Sequence, residues 1–149
     1  MVVDTWTSFQ DQVLAVLDIA DRILLLMTSE IHTIKNIRLF LELAEALGYP
    51  SEKVVLVLNR ADSRGGIGIR DIQQSINHPI AAGLVNDRQL VMSSVNRGIP
   101  FVVGQKDSQV SRNVYDLAKL LTDSMGDGHK RKKGGPGESG LVGRLLGRK

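Results

Sequence analysis

Three short stretches carry side chains whose types and spacing could do chemistry. Val2-Val3-Asp4-Thr5 puts a carboxylate behind an apolar pair. The apolar run Val54-Val55-Leu56-Val57-Leu58 leads into Asn59-Arg60-Ala61-Asp62. Asn59 offers both a donor and an acceptor, and Asp62 is an acceptor when ionised. Ser94-Val95-Asn96-Arg97-Gly98-Ile99-Pro100-Phe101 sets a helix-stopping glycine just before a proline. In open α/β sheets, ligands bind in the crevice beyond the carboxyl ends of the strands. A carboxylate or amide that closes an apolar run therefore stands where a ligand would be met, and a carboxylate there can hold a magnesium ion through water. Each stretch also has a plainer reading. Asp4 could cap a helix beginning near Ser8, and Asn59 and Asp62 are common turn residues. Gly98 and Pro100 could simply stop a helix and start an extended segment.

Other chemistries are excluded or have no candidate. The chain of 149 residues has no cysteine, which removes disulfides and thiolate metal sites. His32, His78 and His129 are far apart and lack metal-ligand spacing. No Gly-x-Ser-x-Gly elbow is present. Lys133-Gly134-Gly135-Pro136-Gly137-Glu138-Ser139 is similar to a phosphate-binding loop, but Glu138 would repel phosphate and Pro136 removes one backbone N–H. It is read as a flexible linker.

The elements that must position these residues follow from hydrophobic periodicity. Ile23–Met27 and Val54–Leu58 are continuous apolar runs, as expected of strands covered on both faces. Val2-Val3 reads as the end of a strand, and Ile80-Ala81-Ala82 as a shorter one. Helical stripes appear at Val13, Val16, Leu17 and Ala20, at Ile34, Ile37, Leu41 and Ala44, and at Val110, Val114, Leu117 and Leu121. Gly48 and Pro50 stop the second. Strand and helix alternating at this spacing predict an α/β fold, a parallel sheet with helices on its faces.

Charge divides the chain. Residues 126–149 hold seven Lys or Arg against Asp127 and Glu138, and eight of the 15 glycines. The remaining 125 residues carry a net charge of −2. A slightly acidic body argues against a broad nucleic-acid face. The composition shift near Ser124 predicts an α/β domain over 1–124, a Gly/Lys-rich linker over 125–139 and a short basic amphipathic tail over 140–149. In that tail Leu141, Val142, Leu145 and Leu146 share one helical face, and Arg144 and Arg148 another.

Read together, the three stretches resemble the MinD/ParA-type P-loop ATPases, most closely the CpaE/TadZ pilus-assembly branch, over about residues 2–123. Val2-Val3-Asp4-Thr5 looks like the Walker B strand end, although Trp6-Thr7 stand where the family often has prolines. Asn59 to Asp62 is similar to the base-recognition loop. The Asn-x-x-Asp spacing is also similar to the Asn-Lys-x-Asp loop of related GTPases, with Arg60 for Lys, so ATP and GTP both stay open. Asn96-Arg97-Gly98-Ile99-Pro100 looks like the branch's Asn-Arg-Gly-x-Pro segment. The family's phosphate loop, Lys-Gly-Gly-x-Gly-Lys-Thr, is absent ahead of Asp4.

The resemblance implies a partial three-layer parallel sheet of the SIMIBI-like P-loop type. It implies ATP and Mg²⁺ as cofactors of the intact protein, Asp4 on Mg²⁺ through water, Asn59 and Asp62 at the base, and Pro100 walling its pocket. It further implies a homodimer on ATP binding, a role in placing or assembling a type IV (Flp/Tad) pilus or secretion machine, and a chain inactive alone. The tail resembles the MinD membrane-targeting helix, which implies a cytoplasmic protein held peripherally at an anionic inner membrane face. A solvated tail and a tail docked on a partner protein are the alternatives. Two rival functions remain: a non-enzymatic membrane-associated adaptor, and an ATPase of cell division or plasmid partition.

Overall fold

The computed structural model describes residues 1–6, 10–63 and 66–131, with side chains to residue 123. Its elements run α1 (Asp11–Ile19), β1 (Ile23–Met27), α2 (Ile31–Ala46), a 3-10 turn (Ser51–Lys53), β2 (Val54–Asn59), α3 (Ile69–Ile76), β3 (Ile80–Leu84), α4 (Arg88–Arg97), α5 (Phe101–Gly104) and α6 (Gln109–Arg131). The three strands form one parallel sheet in the order β1-β2-β3. The expected α/β architecture, a parallel sheet flanked by helices, is the one observed.

β2 is central, and Val54 to Leu58 are all buried. On one face Met27, Leu56 and Leu58 pack with Ile34 and Ile37 of α2 and Ile72 and Ile76 of α3. On the other, Val55 and Val57 pack against Leu117 of α6, with Ala82, Leu84 and Leu121 around them. A central strand therefore needs apolar side chains in both alternating sets, which is why it reads as an unbroken run. α3 was not expected from sequence, yet Ile72 is fully buried.

Two expectations change. Val2-Val3 is not part of the sheet; residues 1–6 have no regular secondary structure and Val2 is 98% exposed. Two residues offer too few ladder bonds to hold a strand alone. Ile80-Ala81-Ala82 does form a strand, but it runs on to Leu84 and carries a register irregularity. Leu56 faces Ile80 whereas Val57 faces Ala82, so Ala81 is the extra residue. α6 passes through Ser124, where the composition changes, to Arg131. The tail residues Leu141, Val142, Arg144, Leu145, Leu146 and Arg148 lie outside the described residues.

Candidate functional site

The carboxyl ends of the three strands lie side by side. Met27 is in register with Leu58, and Asn59 with Leu84. The residues that leave the sheet there are Thr28-Ser29-Glu30, Asn59 to Asp62, and Val85 to Asp87.

Asn59 is the last residue of β2 and is exposed. Its Oδ1 accepts the Arg60 N–H at 2.9 Å. Its Nδ2 has no partner among the described residues. Arg60 turns the chain with φ of 54°, a left-handed conformation uncommon for a residue with a side chain. The Ala61 N–H then donates to the Leu84 carbonyl at 2.9 Å, which draws this loop onto the end of β3. A Cβ added at Gly83 would lie 3.1 Å from the Ala61 Cβ, so the approach is close enough to favour glycine. Asp62 follows, and its Oδ1 accepts the Asn86 N–H at 2.7 Å.

The β3 end is fixed from its other side as well. The Val85 N–H donates to Asn113 Oδ1 on α6 at 3.2 Å, and Asp87 caps α4 by accepting the Leu90 N–H at 3.0 Å. At the β1 end, Thr28 Oγ1 donates to Glu30, with Thr33 Oγ1 3.1 Å away. The Ile67 N–H donates to the Ser29 carbonyl at 3.1 Å. A Cβ on Gly66 would meet Ser29 Oγ at 2.0 Å, so that crossing requires glycine.

The structure thus brings Asn59 and Asp62 together at the strand ends. Pro100 is exposed and directly precedes α5, where its carbonyl accepts from the Val103 and Gly104 N–H groups. It is connected to the site through α6. Tyr115 Oη donates to the Val102 carbonyl at 2.8 Å, and Asn113, on the same helix, holds Val85. Asp4 sits in the exposed segment before α1 and has no hydrogen bond or ion pair among the described residues. No group of three or more metal-ligating side chains occurs among the described residues.

Sequence reasoning missed Thr28, Ser29, Asn86 and Asn113. Thr28 and Ser29 had a usable signal, since they directly follow an apolar run. The roles of Asn86 and Asn113 depend on hydrogen bonds across 24 and 28 residues and leave no local pattern. A cleft of about 570 Å³ lies at the opposite end of β2, beside Val54, and is lined by Arg38, Glu42, Tyr49 and His78. The strand-end loops carry the better placed chemistry, because strand carboxyl ends are where α/β folds bind ligands.

No family model and no curated protein matches the sequence. Solved structures do match the fold. A ParA family ATPase from Chlorobium tepidum TLS superposes with a TM-score of 0.69 at 23% identity, over 74% of this chain and 46% of that one. A chain of the MinC:MinD cell division protein complex of Aquifex aeolicus gives 0.66 at 19% identity, over 77% of this chain and 48% of that one. The septum site-determining protein MinD of Pyrococcus horikoshii OT3, complexed with Mg-ADP, gives 0.56 at 21% identity, over 68% and 41%. The chain therefore has the fold of the ParA/MinD P-loop ATPases and spans less than half the length of these matched structures.

Proposed function

We propose that the chain is the C-terminal half of a MinD/ParA-like ATPase domain and supplies its base-binding end. The observation that carries this reading is Asn59. It closes the central buried strand of a ParA/MinD fold, exposed, with a free amide donor and an acceptor whose position the Arg60 N–H fixes. An amide presents the donor–acceptor pair that an adenine edge requires. Asp62, in this reading, keeps the base loop seated on the β3 end.

The strand-end residues fit a base and do not fit phosphates. The sequence holds no Lys-Gly-Gly-x-Gly-Lys-Thr loop, and the glycines Gly66 and Gly68 that lead into α3 are followed by no lysine before Lys106. When bound, Mg-ATP would supply the energy for a switch between states. This chain's own part is to hold the base and present the surrounding loops. Asp4 is proposed to reach Mg²⁺ through water only in the intact protein. The finer reading, that the intact protein dimerises on ATP and serves the assembly or placement of a Flp/Tad pilus or secretion system, is supported by the Asn-Arg-Gly-x-Pro segment Asn96–Pro100. A peripheral place at the inner membrane face is proposed from the tail.

Amide chemical shifts test the base site. Millimolar adenine nucleotide is expected to shift Asn59 to Asp62 in the parent and not in Asn59→Ala. Shifts confined to residues away from the strand ends would refute the assignment. The pure chain is also expected to show no steady ATP turnover; turnover above a blank, lost in Asp4→Ala, would contradict the missing phosphate clamp.

A further inference from the structure

At the amino ends of the strands, opposite the base site, a cleft of about 570 Å³ opens between the C-terminal half of α2, the turn into β2 and the end of α3. A cavity of that size holds a small ligand or a few side chains. Leu41 and Ile76 give it apolar wall, and Glu42 and Glu45 line it from α2. The guanidinium of Arg38, also in the lining, is engaged by Glu42 at 3.7 Å. The Glu45 carboxylate has no hydrogen bond or ion pair among the described residues.

Two helices also end at the cleft. The carboxyl ends of α2 and α3 carry partial negative charge, and neither helix has a basic residue in its last turn. Pro79 has no N–H to give the Ser75 carbonyl, which accepts no hydrogen bond among the described residues. The cleft is therefore part apolar and electronegative. Its chemistry fits a segment in which leucines alternate with cations.

α6 leads such a segment to this end of the molecule. Asn113 holds Val85 beyond the carboxyl end of β3, and Leu117 and Leu121 pack along Val55 and Val57. The helix thus runs antiparallel to the strands, towards their amino ends. The residues from Thr122 to Arg131 carry it about 15 Å past Leu121. Residues 132–139 can extend up to roughly 28 Å, about the width of a small domain. That reach covers the distance back to the cleft for the segment Gly140–Lys149. The exposed Val91 and Val95 on α4 are a poorer seat, since Arg88 and Arg97 flank them with no acid between.

We propose that the cleft is the docking site of this chain's own segment Gly140–Lys149, its leucines against Leu41 and Ile76, and Arg144 and Arg148 towards Glu45 and the two helix ends. The inference does not depend on nucleotide binding. It gives the face proposed to meet lipid a second partner within the chain, so that cleft and membrane compete for the same residues.

The absence of cysteine permits a direct test. A nitroxide on Gly147→Cys, in the otherwise intact chain, is expected to erase the amide signals of Glu45 and Asn77 and to leave Asn59 to Asp62 sharp. Raising the salt concentration should restore the lost signals, because screening weakens the charge pairing. Glu45→Lys, a change at an exposed position, should restore the Asn77 signal without salt. Ser139→Cys carries the nitroxide instead if a label inside the segment blocks docking. Signals at Glu45 and Asn77 that stay sharp with either label overturn the proposal. So does a loss at Asn77 that is equal in the parent and in Glu45→Lys. A loss that also appears when unlabelled spin-bearing chain is mixed with nitrogen-15 chain lacking the nitroxide would place the segment in the cleft of a second copy, and would overturn docking within one chain.

Discussion

Tyr49 and Asp18 place a phenol against a carboxylate where α1 meets the turn into β2. Tyr49 Oη donates to Asp18, and Lys53 Nζ donates to the Asp18 carbonyl at 3.0 Å while lying 4.5 Å from the Tyr49 ring centroid. Ionising the phenol would destroy the hydrogen bond and set two negative charges together. The bond to Asp18, then burial, then the Asp18 charge push the Tyr49 pKa up to about 12. A group raised in the folded state contributes stability that is complete below its unfolded value, about 10, and is lost as pH rises towards 12. A spectrophotometric titration of a Tyr115→Phe variant isolates Tyr49. It should ionise well above pH 10, and Asp18→Asn should bring it back down; an unchanged midpoint in Asp18→Asn would reject the pairing. Asp62 offers a second residue-scale test. Removing its carboxylate leaves the Asn86 N–H without its acceptor. Asp62→Ala is expected to cost about 0.5–1.5 kcal/mol and to speed amide exchange at Asn86. Asp62→Asn, which keeps an acceptor, should largely restore protection; if neither variant alters exchange at Asn86, the two loops are not tied there.

Elements rather than residues decide how rigidly the strand ends are presented. α6 binds the sheet through Leu117, buried against Val55 and Val57, and the β3 end through Asn113. Its first turn is anchored by Ser111, fully buried, whose hydroxyl donates to the Gln105 carbonyl and accepts from Ser108 Oγ, each at 2.7 Å. Ser111→Ala removes one of three hydrogen bonds to that carbonyl, which still accepts from the Ser108 hydroxyl and N–H, and is expected to cost about 0.5–1.5 kcal/mol. A denaturant midpoint unchanged from the parent would show the network to be dispensable. Helix stripes and buried strands were legible in the sequence because each is periodic within its own segment. Ile34, Ile37 and Ala44 mark α2 that way, and Val54 to Leu58 mark β2. α3 was missed because eight residues give only two turns of pattern. β1 read like β2, and the structure separates them, since apolar residues at every position cannot say whether the second face is covered. At the site, Asn59 and Asp62 could be read from their place behind β2. Asn86, Asn113 and Ser111 could not, because their partners are set by the tertiary fold.

Across the whole molecule, the division of charge bears on where the protein works. The basic, glycine-rich end of the chain contrasts with a body of net charge −2. Among the described residues no helix is long and apolar enough to cross a membrane. In the proposed peripheral location, attachment rests on surface binding by the tail. The segment Gly140–Lys149 has the composition for it, with Leu141, Val142, Leu145 and Leu146 against Arg144, Arg148 and Lys149. Each basic residue near an anionic surface contributes on the order of 1 kcal/mol, and apolar insertion adds to that. One such tail would give reversible binding. Two tails on a nucleotide-bound dimer would give avidity without any new contact, so that a switch in oligomeric state becomes a switch in location. Flotation with vesicles containing anionic lipid tests the first half of that chain of events. The parent is expected to float and to be released as salt rises, because screening weakens the basic contribution. The double variant Leu145→Glu, Leu146→Glu should remain at the bottom of the gradient. A double variant that floats as well as the parent would leave the tail a solvated extension, and the location of the protein would have to be set by a partner instead.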